Sequence, residues 1–176
     1  VVQVDHDNVG ACKELVTVLF AKGIQNIAYL GSNMDQMVNR CRYQGYEEAY
    51  RKGKRKLNQD LVYTDLSSRA MVEKAVEELK NSGVECILCQ DDYICDEVVR
   101  KLARMGVRIP DQMKVASCHY SRILENYPVT ITSLKFNITE LGRRSCQVLL
   151  DMIHGKTVPD KTLLDYEIIL KESTKG

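Results

Sequence analysis

The stretch ILCQDDYICDEVVRKLARMGVRIP, Ile87–Pro110, contains the signals of one strand–turn–helix unit. Residues 86–89 form a short apolar run that ends at a polar turn, as is typical of a strand buried on both faces of a parallel sheet. In that turn Asp92 is well placed to cap the following helix, which Gly106 ends. The inward face of this helix is predicted to comprise Cys95, Val98, Val99, Leu102 and Ala103.

The same unit recurs along the chain. Further strands are predicted at residues 1–4, 26–31, 61–64 and 113–117. Helices are predicted between them, starting at Asp7, Asp35 and Ser68 as capping residues. A repeat of about 25–35 residues is typical of strand–helix–strand units with right-handed crossovers. The sequence therefore predicts the α/β class with a parallel sheet.

The pattern changes after residue 117. A polar, aromatic loop covers residues 118–128 and a short extended piece covers 131–134. A longer helix is predicted from Asn137 or Thr139 to Gly155. From Leu164 onward, apolar and polar residues alternate, which predicts one strand with a single wet face. We therefore expect a change of layer in this last part of the chain.

Composition excludes several classes of protein. The 176 residues include 25 Lys and Arg against 24 Asp and Glu, with no basic stripe, so direct DNA binding by this chain is not expected. Seven cysteines at mostly apolar positions indicate core residues in a reducing cytoplasm, without disulfides. No run suits a membrane span or a secretory signal. The chain starts on Val1-Val2-Gln3-Val4 without methionine, so we interpret it as a fragment.

Motifs for catalysis or metal binding find little support. Cys86 and Cys89 are three residues apart in a strand, which sends their side chains to opposite faces and favours core packing over a metal or redox pair. The histidines His6, His119 and His154 have no partner at ligand spacing. No phosphate-binding glycine motif is present. We therefore expect no metal, no cofactor and no enzymatic reaction.

Polar residues follow several of the predicted strands. They comprise residues 36–42, the pair Asp91-Asp92 and His119-Tyr120, and the apolar Leu66 occupies an equivalent place after another strand. In open α/β sheets ligands bind beyond the carboxyl ends of the strands, so these residues are expected to line one cleft. The guanidinium of Arg42 suits bidentate recognition of hydroxyl pairs or of a charged small molecule. Simpler interpretations remain open: Arg42 as a solvated helix arginine, Asp92 as a cap only, and Asp91 facing water.

At this point the sequence resembles the effector-binding part of LacI/GalR-type bacterial transcription regulators, over nearly the whole chain. The matching segments are, in order, VDHDN, AKGIQNIAYL, RYQGYEEAY, the acidic turn with its helix, GVRIPDQMKVAS, ITSL, Leu141-Gly142 and IILKEST. The resemblance implies a periplasmic-binding-protein-like type I fold, with three α/β/α layers. It implies a carboxyl lobe at about 7–129 and 163–176, a segment 130–162 that belongs to the amino-terminal lobe, and the absence of the helix-turn-helix domain.

The resemblance also implies an effector site. Arg42 matches the arginine of the family's R-x-x-G, and Val38 is the residue four positions earlier. Leu66 replaces a stacking aromatic residue, Asp91 replaces an asparagine that precedes the matching Asp92, and His119 replaces a ligand-binding aspartate. The closing arginine of the family is Lys171 here. The predicted effector-binding residues are Val38, Arg42, Leu66, Asp91, His119 and Phe136, with Asp7 and Asp92 as helix-cap or turn residues.

The resemblance predicts a cytoplasmic regulator, in most cases a repressor, in which a sugar or related metabolite in the cleft changes the relative orientation of the lobes. Operator DNA would be bound only by the missing amino-terminal domain. A homodimer is expected, partly through residues 68–82 and 92–105, and no membrane partner. Two alternatives remain: a periplasmic-type solute-binding protein that binds sugar for transport, and a flavodoxin-like phosphotransfer or nucleotide enzyme that uses Asp91-Asp92.

Overall fold

Eight strands and five helices follow one another along residues 1–175, which are the residues that the computed structural model describes. The strands are β1 Gln3–His6, β2 Ile27–Leu30, β3 Val62–Tyr63, β4 Cys86–Cys89, β5 Lys114–Ser117, β6 Thr132–Phe136, β7 Lys161–Leu164 and β8 Tyr166–Ile169. The helices are α1 Asn8–Ala21, α2 Met37–Lys52, α3 Arg69–Leu79, α4 Asp92–Arg104 and α5 Ile138–Ile153.

Six strands form the larger sheet, in the order β3-β2-β4-β5-β6-β8. The pairs from β3 to β6 are parallel, and β8 is antiparallel to β6. From β2 the chain goes outward to β3 and then returns to β4 on the other side of β2. Such a reversal of strand order opens a crevice at the carboxyl ends of the two strands. The crevice between β2 and β4 is therefore the expected position of a ligand.

Helices cover both faces of the larger sheet, which confirms the predicted three-layer arrangement. Side chains from α3 and α4 pack on one face together with Ile87 and Cys89. Side chains from α1 and α2 pack on the other face together with Cys86 and Leu88. All four residues of β4 are fully buried, as the unbroken apolar run predicts. Cys86 and Cys89 therefore belong to opposite cores, as their spacing indicates.

The remaining strands, β1 and β7, form a separate two-stranded parallel sheet against which α5 packs. The chain passes between the two sheets three times: from β1 into α1, from β6 into α5, and from β7 into β8. Within this smaller unit Val148 is buried, whereas Leu149, Met152 and Ile153 on α5 are exposed. Along the described residues, no helix is both long enough and apolar enough to cross a membrane.

Strand pairing corrects the predicted boundary at residue 130. Strand β6, at 132–136, pairs with β5 and β8 and so belongs to the larger sheet, and only the residues after it leave that sheet. The segment that was assigned to the other lobe as 130–162 therefore begins too early. The strand predicted from Leu164 corresponds to β8 but begins too early, because Leu164 belongs to β7, a strand that was not predicted, and the chain changes sheets at Asp165.

Helix starts were predicted with mixed success. Asp7 and Ser68 cap α1 and α3 through side-chain oxygens, as predicted, and of the two candidates for α5 it is Asn137, not Thr139, that caps the helix. Helix α2 begins one residue later than expected: Gln36, not Asp35, is the capping position, and its side chain makes no capping hydrogen bond. At α4, Ala103 is exposed rather than buried, because it lies beside the apolar stripe rather than on it.

The cap of α4 was assigned to the wrong aspartate. Oδ1 of Asp91 accepts a hydrogen bond from the Ile94 amide at 2.9 Å, whereas Asp92 is the first helical residue. A capping side chain must come from the extended residue before the helix, and Asp91 has that backbone conformation. The carboxylate of Asp92 is thereby left for another partner.

Candidate functional site

The crevice between β2 and β4 is organised around Gln90, which is fully buried. Its backbone amide donates to the Leu30 carbonyl at 2.8 Å, and its side-chain Oε1 accepts from the Ser32 amide at 3.1 Å. Gly31 permits this contact, since a Cβ there would lie 2.5 Å from Gln90 Oε1. Gln90 therefore connects the carboxyl ends of the two strands where their order reverses.

Arg42 of α2 lies against the backbone of Gln90 and is buried, with 8% of its surface exposed, and it lines none of the cavities described below. Its Nε donates to Asn8 Oδ1 at 3.3 Å, and its Nη1 donates to the Gln90 carbonyl at 3.0 Å. Both acceptors are neutral. Among residues 1–175, the ion pairs do not include Arg42. A buried guanidinium without a counter-ion is costly, and such a group commonly serves a ligand.

Asp92 and His119 form a second polar group at this edge. Nδ1 of His119 lies 3.3 Å from Asp92 Oδ1, and the Asp92 side chain is buried. The hydrogen bond with His119 lowers the pKa of Asp92 to about 2, against the opposing effect of burial, with a further hydrogen bond from Ser121. Asp92 is therefore an ionised carboxylate whose hydrogen-bond partners, His119 and Ser121, come from the protein itself.

An aromatic row connects this group to the smaller sheet. The His119 ring stacks on Phe136 with ring centroids 6.3 Å apart, and Phe136 lies 4.9 Å from the ring of His6 at the end of β1. His6 is buried, and its Nε2 has no hydrogen-bond partner among the described residues. Aromatic side chains from both sheets therefore meet at one place.

Two cavities open at this edge, and they divide the predicted site. A cavity of about 760 Å³ lies between β6, the start of α5 and the β7–β8 connection, and His119 and Phe136 line it. A smaller cavity of about 310 Å³ is lined by Leu66 and Asp91, together with the starts of α3 and α4. Val38 is half-buried on the first turn of α2 and lines neither cavity.

Three residues of this edge were not singled out from the sequence: Asn8, Gln90 and Tyr29. Tyr29 is fully buried, and its hydroxyl has no hydrogen-bond partner within residues 1–175. Burial raises the pKa of the Tyr29 hydroxyl well above its usual value. The negative charge of Asp91 raises this pKa further, and the positive charge of Arg42 opposes the shift. Nothing in the local sequence indicates an unused hydroxyl at Tyr29.

The chemistry available at this edge is that of binding. A fixed guanidinium, an imidazole paired with a carboxylate, and a row of aromatic rings can hold and orient a polar molecule. Among the described residues, no group of three or more His, Cys, Asp or Glu side chains is arranged to hold a metal ion.

Comparison with known families identifies the domain. A family model described as the periplasmic binding protein-like domain matches residues 16–174. The chain belongs to this family. The match agrees with the larger sheet and its crevice, and it confirms the fold class predicted from the sequence.

Transcription regulators resemble this chain along nearly its whole length. The HTH-type transcriptional regulator CelR of Thermobifida fusca is 27% identical over 173 residues, which are 97% of this chain and 51% of the regulator. A solved transcriptional regulator CelR–cellobiose complex aligns with a TM-score of 0.87 and 26% identity, over 98% of this chain and 54% of that one. The predicted resemblance to LacI/GalR-type regulators is confirmed.

A third structure gives the same fold. The putative transcriptional regulator LacI from Bacillus cereus subsp. cytotoxis NVH 391-98 aligns with a TM-score of 0.88 and 24% identity, over all of this chain and 64% of that one. This chain spans about half the length of the curated relatives that it matches. What those regulators do as whole proteins therefore involves parts that are not in these 176 residues.

Proposed function

We propose that this chain is the small-molecule effector-binding portion of a LacI/GalR-like transcriptional regulator, most simply a cytoplasmic repressor, and that it catalyses no reaction. The observation that carries the proposal is Arg42, a buried guanidinium at the reversal of strand order whose hydrogen-bond partners are both neutral. The relatives are transcriptional regulators, which favours this function over sugar binding for transport. The proposed effector is a sugar or related metabolite, since a CelR relative was solved with cellobiose.

The proposed site couples binding to the arrangement of the two sheets. His119 and Phe136 come from the larger sheet, while His6 and the β7–β8 connection come from the smaller one. An effector that contacts both binds one relative orientation better than another and so shifts the equilibrium between them. In the whole regulator this shift would control operator binding through a separate DNA-binding domain.

The roles of the individual side chains follow from their positions. Arg42 is proposed to fix the effector by paired hydrogen bonds, and His119 and Phe136 to form one wall of the site. Leu66 and Asp91 are proposed to close it on the other side of the crevice, where they line the smaller cavity. Val38 is proposed to contribute only at the margin, one helical turn before Arg42.

The test is isothermal titration calorimetry of the 176-residue chain against sugars, sugar phosphates, purines and acidic metabolites. Arg42→Ala should weaken binding of any hit by roughly 30-fold or more, because removing one partner of a buried charged contact costs about 2–5 kcal/mol. Arg51→Ala is the matched control, since Arg51 lies on the same helix with its side chain 78% exposed. Unchanged affinity in a folded Arg42→Ala protein would contradict the assignment.

We also propose that the chain forms homodimers through the face of α3 and α4. Asp96 on this face would repel its copy across a two-fold axis, but Arg100 binds it at 2.8 Å and the Tyr127 hydroxyl donates to it. The charge of Asp96 is therefore largely compensated within each protomer. Sedimentation equilibrium at micromolar concentration tests this proposal, and a monomer whose mass is independent of concentration would contradict it. The chain alone should not retard operator DNA, given its net charge of +1.

A further inference from the structure

Cys12 of α1 and Cys118, the first residue after β5, form a pair of buried thiols. Their Sγ atoms lie 3.5 Å apart, although the two residues are 106 positions apart in sequence. Neither side chain is exposed to solvent. At this distance the sulfur atoms are in contact as free thiols, and a disulfide would require them to approach to about 2.0 Å. The fold therefore holds together two nucleophilic groups that the proposed function does not use.

We propose that Cys12 and Cys118 form a reversible disulfide when the protein is exposed to a hydroperoxide. The peroxide oxidises one thiol to a sulfenic acid and is itself reduced to an alcohol, or to water if it is hydrogen peroxide. The second thiol then attacks the oxidised sulfur, the S–S bond forms and water leaves. In total the two thiols lose two electrons and two protons, and a small dithiol reductant reverses the reaction by thiol–disulfide exchange.

The position of the second thiol favours the disulfide over further oxidation. A sulfenic acid at either position would have the partner sulfur about 3.5 Å away, so the second step is intramolecular and needs no encounter in solution. Reactions between groups that are held in contact are strongly accelerated over their bimolecular counterparts. The intermediate should therefore be short-lived when both cysteines are present, and long-lived when one of them is replaced.

The surroundings of the pair make the first step slow. Burial raises the pKa of the Cys12 thiol well above its usual value, and the hydrogen bond with Cys118 adds to this shift, whereas the positive charge of Arg42 opposes it. Since the thiolate is the nucleophile, oxidation should be faster at pH 9 than at pH 7. Hydrogen peroxide is close to water in size, so brief local openings admit it where larger disulfide reagents are excluded.

The disulfide would connect two parts of the candidate site. Cys118 directly precedes His119, which lines the 760 Å³ cavity. Cys12 lies one helical turn after Asn8, the partner of Arg42. Because the two sulfurs must approach by about 1.5 Å, oxidation should move α1 relative to the loop that begins at Cys118. This consequence for the site rests on the proposed function, whereas formation of the disulfide does not.

The test uses the 176-residue chain with its more accessible thiols replaced, Cys41→Ser/Cys146→Ser. Hydrogen peroxide added to this folded parent should lower the intact mass by about 2 Da, the mass of the two hydrogens lost, and dithiothreitol should restore it. Peptide mapping should find Cys12 joined to Cys118. Uptake of oxygen without a linkage, or a linkage that forms only after urea has unfolded the chain, would overturn the proposal.

Peptide mapping also distinguishes this pair from a second one. A hydrogen bond with Cys95 contributes to the raised pKa of Cys89, so these two thiols are neighbours as well. A disulfide between Cys89 and Cys95, with Cys12 and Cys118 still free, would contradict the proposal.

Single variants in the same background separate the two chemical steps. Cys12→Ala and Cys118→Ala should each lose the decrease of about 2 Da and retain a sulfenic acid, which dimedone traps when the oxidised protein is unfolded in its presence. Cys86→Ala is the matched control, since Cys86 is equally buried in the same core, and it should still form the disulfide. A dimedone adduct that is as abundant in the parent as in the single variants would show that the second thiol does not resolve the first.

Two measurements on the oxidised parent test the consequences of the bond. Its melting temperature should rise by several degrees, because a link across 106 positions restricts the unfolded chain. Hydrogen exchange followed by mass spectrometry should differ between the oxidised and reduced forms at residues 118–122 and at the start of α1. Identical exchange in these segments would contradict the connection to the candidate site, even if the disulfide forms.

Discussion

Gly45 lies directly against the backbone of Val9: a Cβ at position 45 would be 2.4 Å from the Val9 carbonyl oxygen and 2.8 Å from Cys12 Cβ. The absence of a side chain lets α2 approach α1 this closely. Arg42, one turn earlier on α2, is thereby brought to Asn8 at the start of α1. The glycine of R-x-x-G therefore positions the arginine by packing, not by backbone conformation.

Gly45→Ala should separate α1 from α2, because the added methyl meets backbone that cannot rotate away. We expect the free energy of unfolding to fall by about 1–3 kcal/mol, as for other overpacked sites, and effector affinity to fall with it. Gly142→Ala is the control, since Gly142 lies in α5 with nothing within 4 Å of a built Cβ. That change should stabilise the protein by roughly 0.5–1 kcal/mol. Urea denaturation measures both, and equal effects of the two variants would refute the packing account.

The Asp92 carboxylate should make stability depend on pH in acid. Its pKa is lowered from 3.8 to about 2 in the folded protein, so its stabilising contribution is complete above about pH 4 and is lost as pH falls through 2. The shift corresponds to roughly 2 kcal/mol. Asp92→Asn should therefore destabilise the protein at pH 5, and the difference from the parent should shrink steadily between pH 4 and 2.

Denaturation at several pH values measures this difference. Asp111→Asn is the control, because the Asp111 side chain is 66% exposed and pairs only with Arg108 at the surface. A difference between Asp92→Asn and the parent that stays constant from pH 5 to pH 2 would show that the carboxylate charge is not what stabilises this edge.

Ser173 should fasten the end of the chain to the larger sheet. It is fully buried, its hydroxyl donates to the Val115 carbonyl at 2.6 Å, and it accepts from the Thr132 amide at 2.9 Å. Ser173→Ala leaves both groups unpaired and should lower the free energy of unfolding by about 1–3 kcal/mol. Ser67→Ala, at an exposed position, should change it by less than about 0.5 kcal/mol. Thermal unfolding of the two variants measures these changes. Equal stability of Ser173→Ala and Ser67→Ala would show that the Ser173 hydrogen bonds do not stabilise the end of the chain.

The cysteines should differ sharply in reactivity. Five are buried, Cys41 is half-buried and Cys146 is exposed on α5. Burial raises the pKa of the Cys12, Cys86 and Cys89 thiols, which lowers the fraction of reactive thiolate. A disulfide reagent should label Cys146 first in the native protein, Cys41 more slowly, and the others only on unfolding. Cys146→Ser should abolish the fast phase, and a fast phase of full amplitude in that variant would contradict the burial described here.

Local sequence patterns correctly predicted the central strands and helices of the larger sheet. They did not predict the pairing at its edge or the cap of α4. The apolar run at 86–89 and the helical spacing after it are local signals, and both describe the structure correctly. The placement of β6 depends on pairing with residues of β8 that lie at least 30 positions away, which no local pattern contains. The cap of α4 could not be assigned because adjacent aspartates differ only in backbone conformation, and that is fixed by the packing of the helix.

The candidate site could be predicted only in part, because local patterns do not contain contacts between residues far apart in sequence. Arg42 could be singled out because its residue type and its family position agree. Its partners Asn8 and Gln90 lie 34 and 48 residues away in sequence, so the contacts exist only once α1, α2 and β4 are packed together. Leu66 and His119 were expected in one cleft, but Leu66 lines one cavity together with Asp91 and His119 lines the other.

The three passages of the chain between the two sheets have a mechanical consequence. They lie side by side at residues 6–8, 136–138 and 164–166: the Asp7 amide donates to the Leu164 carbonyl at 3.2 Å, and the His6 ring lies 4.9 Å from that of Phe136. Three short connections of this kind resist sliding and rotation of one sheet against the other. They allow a hinge motion about the line that joins them. We therefore expect the smaller sheet to bend about this line rather than to slide past the larger one. Residues 136–138 and 164–165 of these connections line the 760 Å³ cavity, so we expect a ligand there to set the angle between the two sheets.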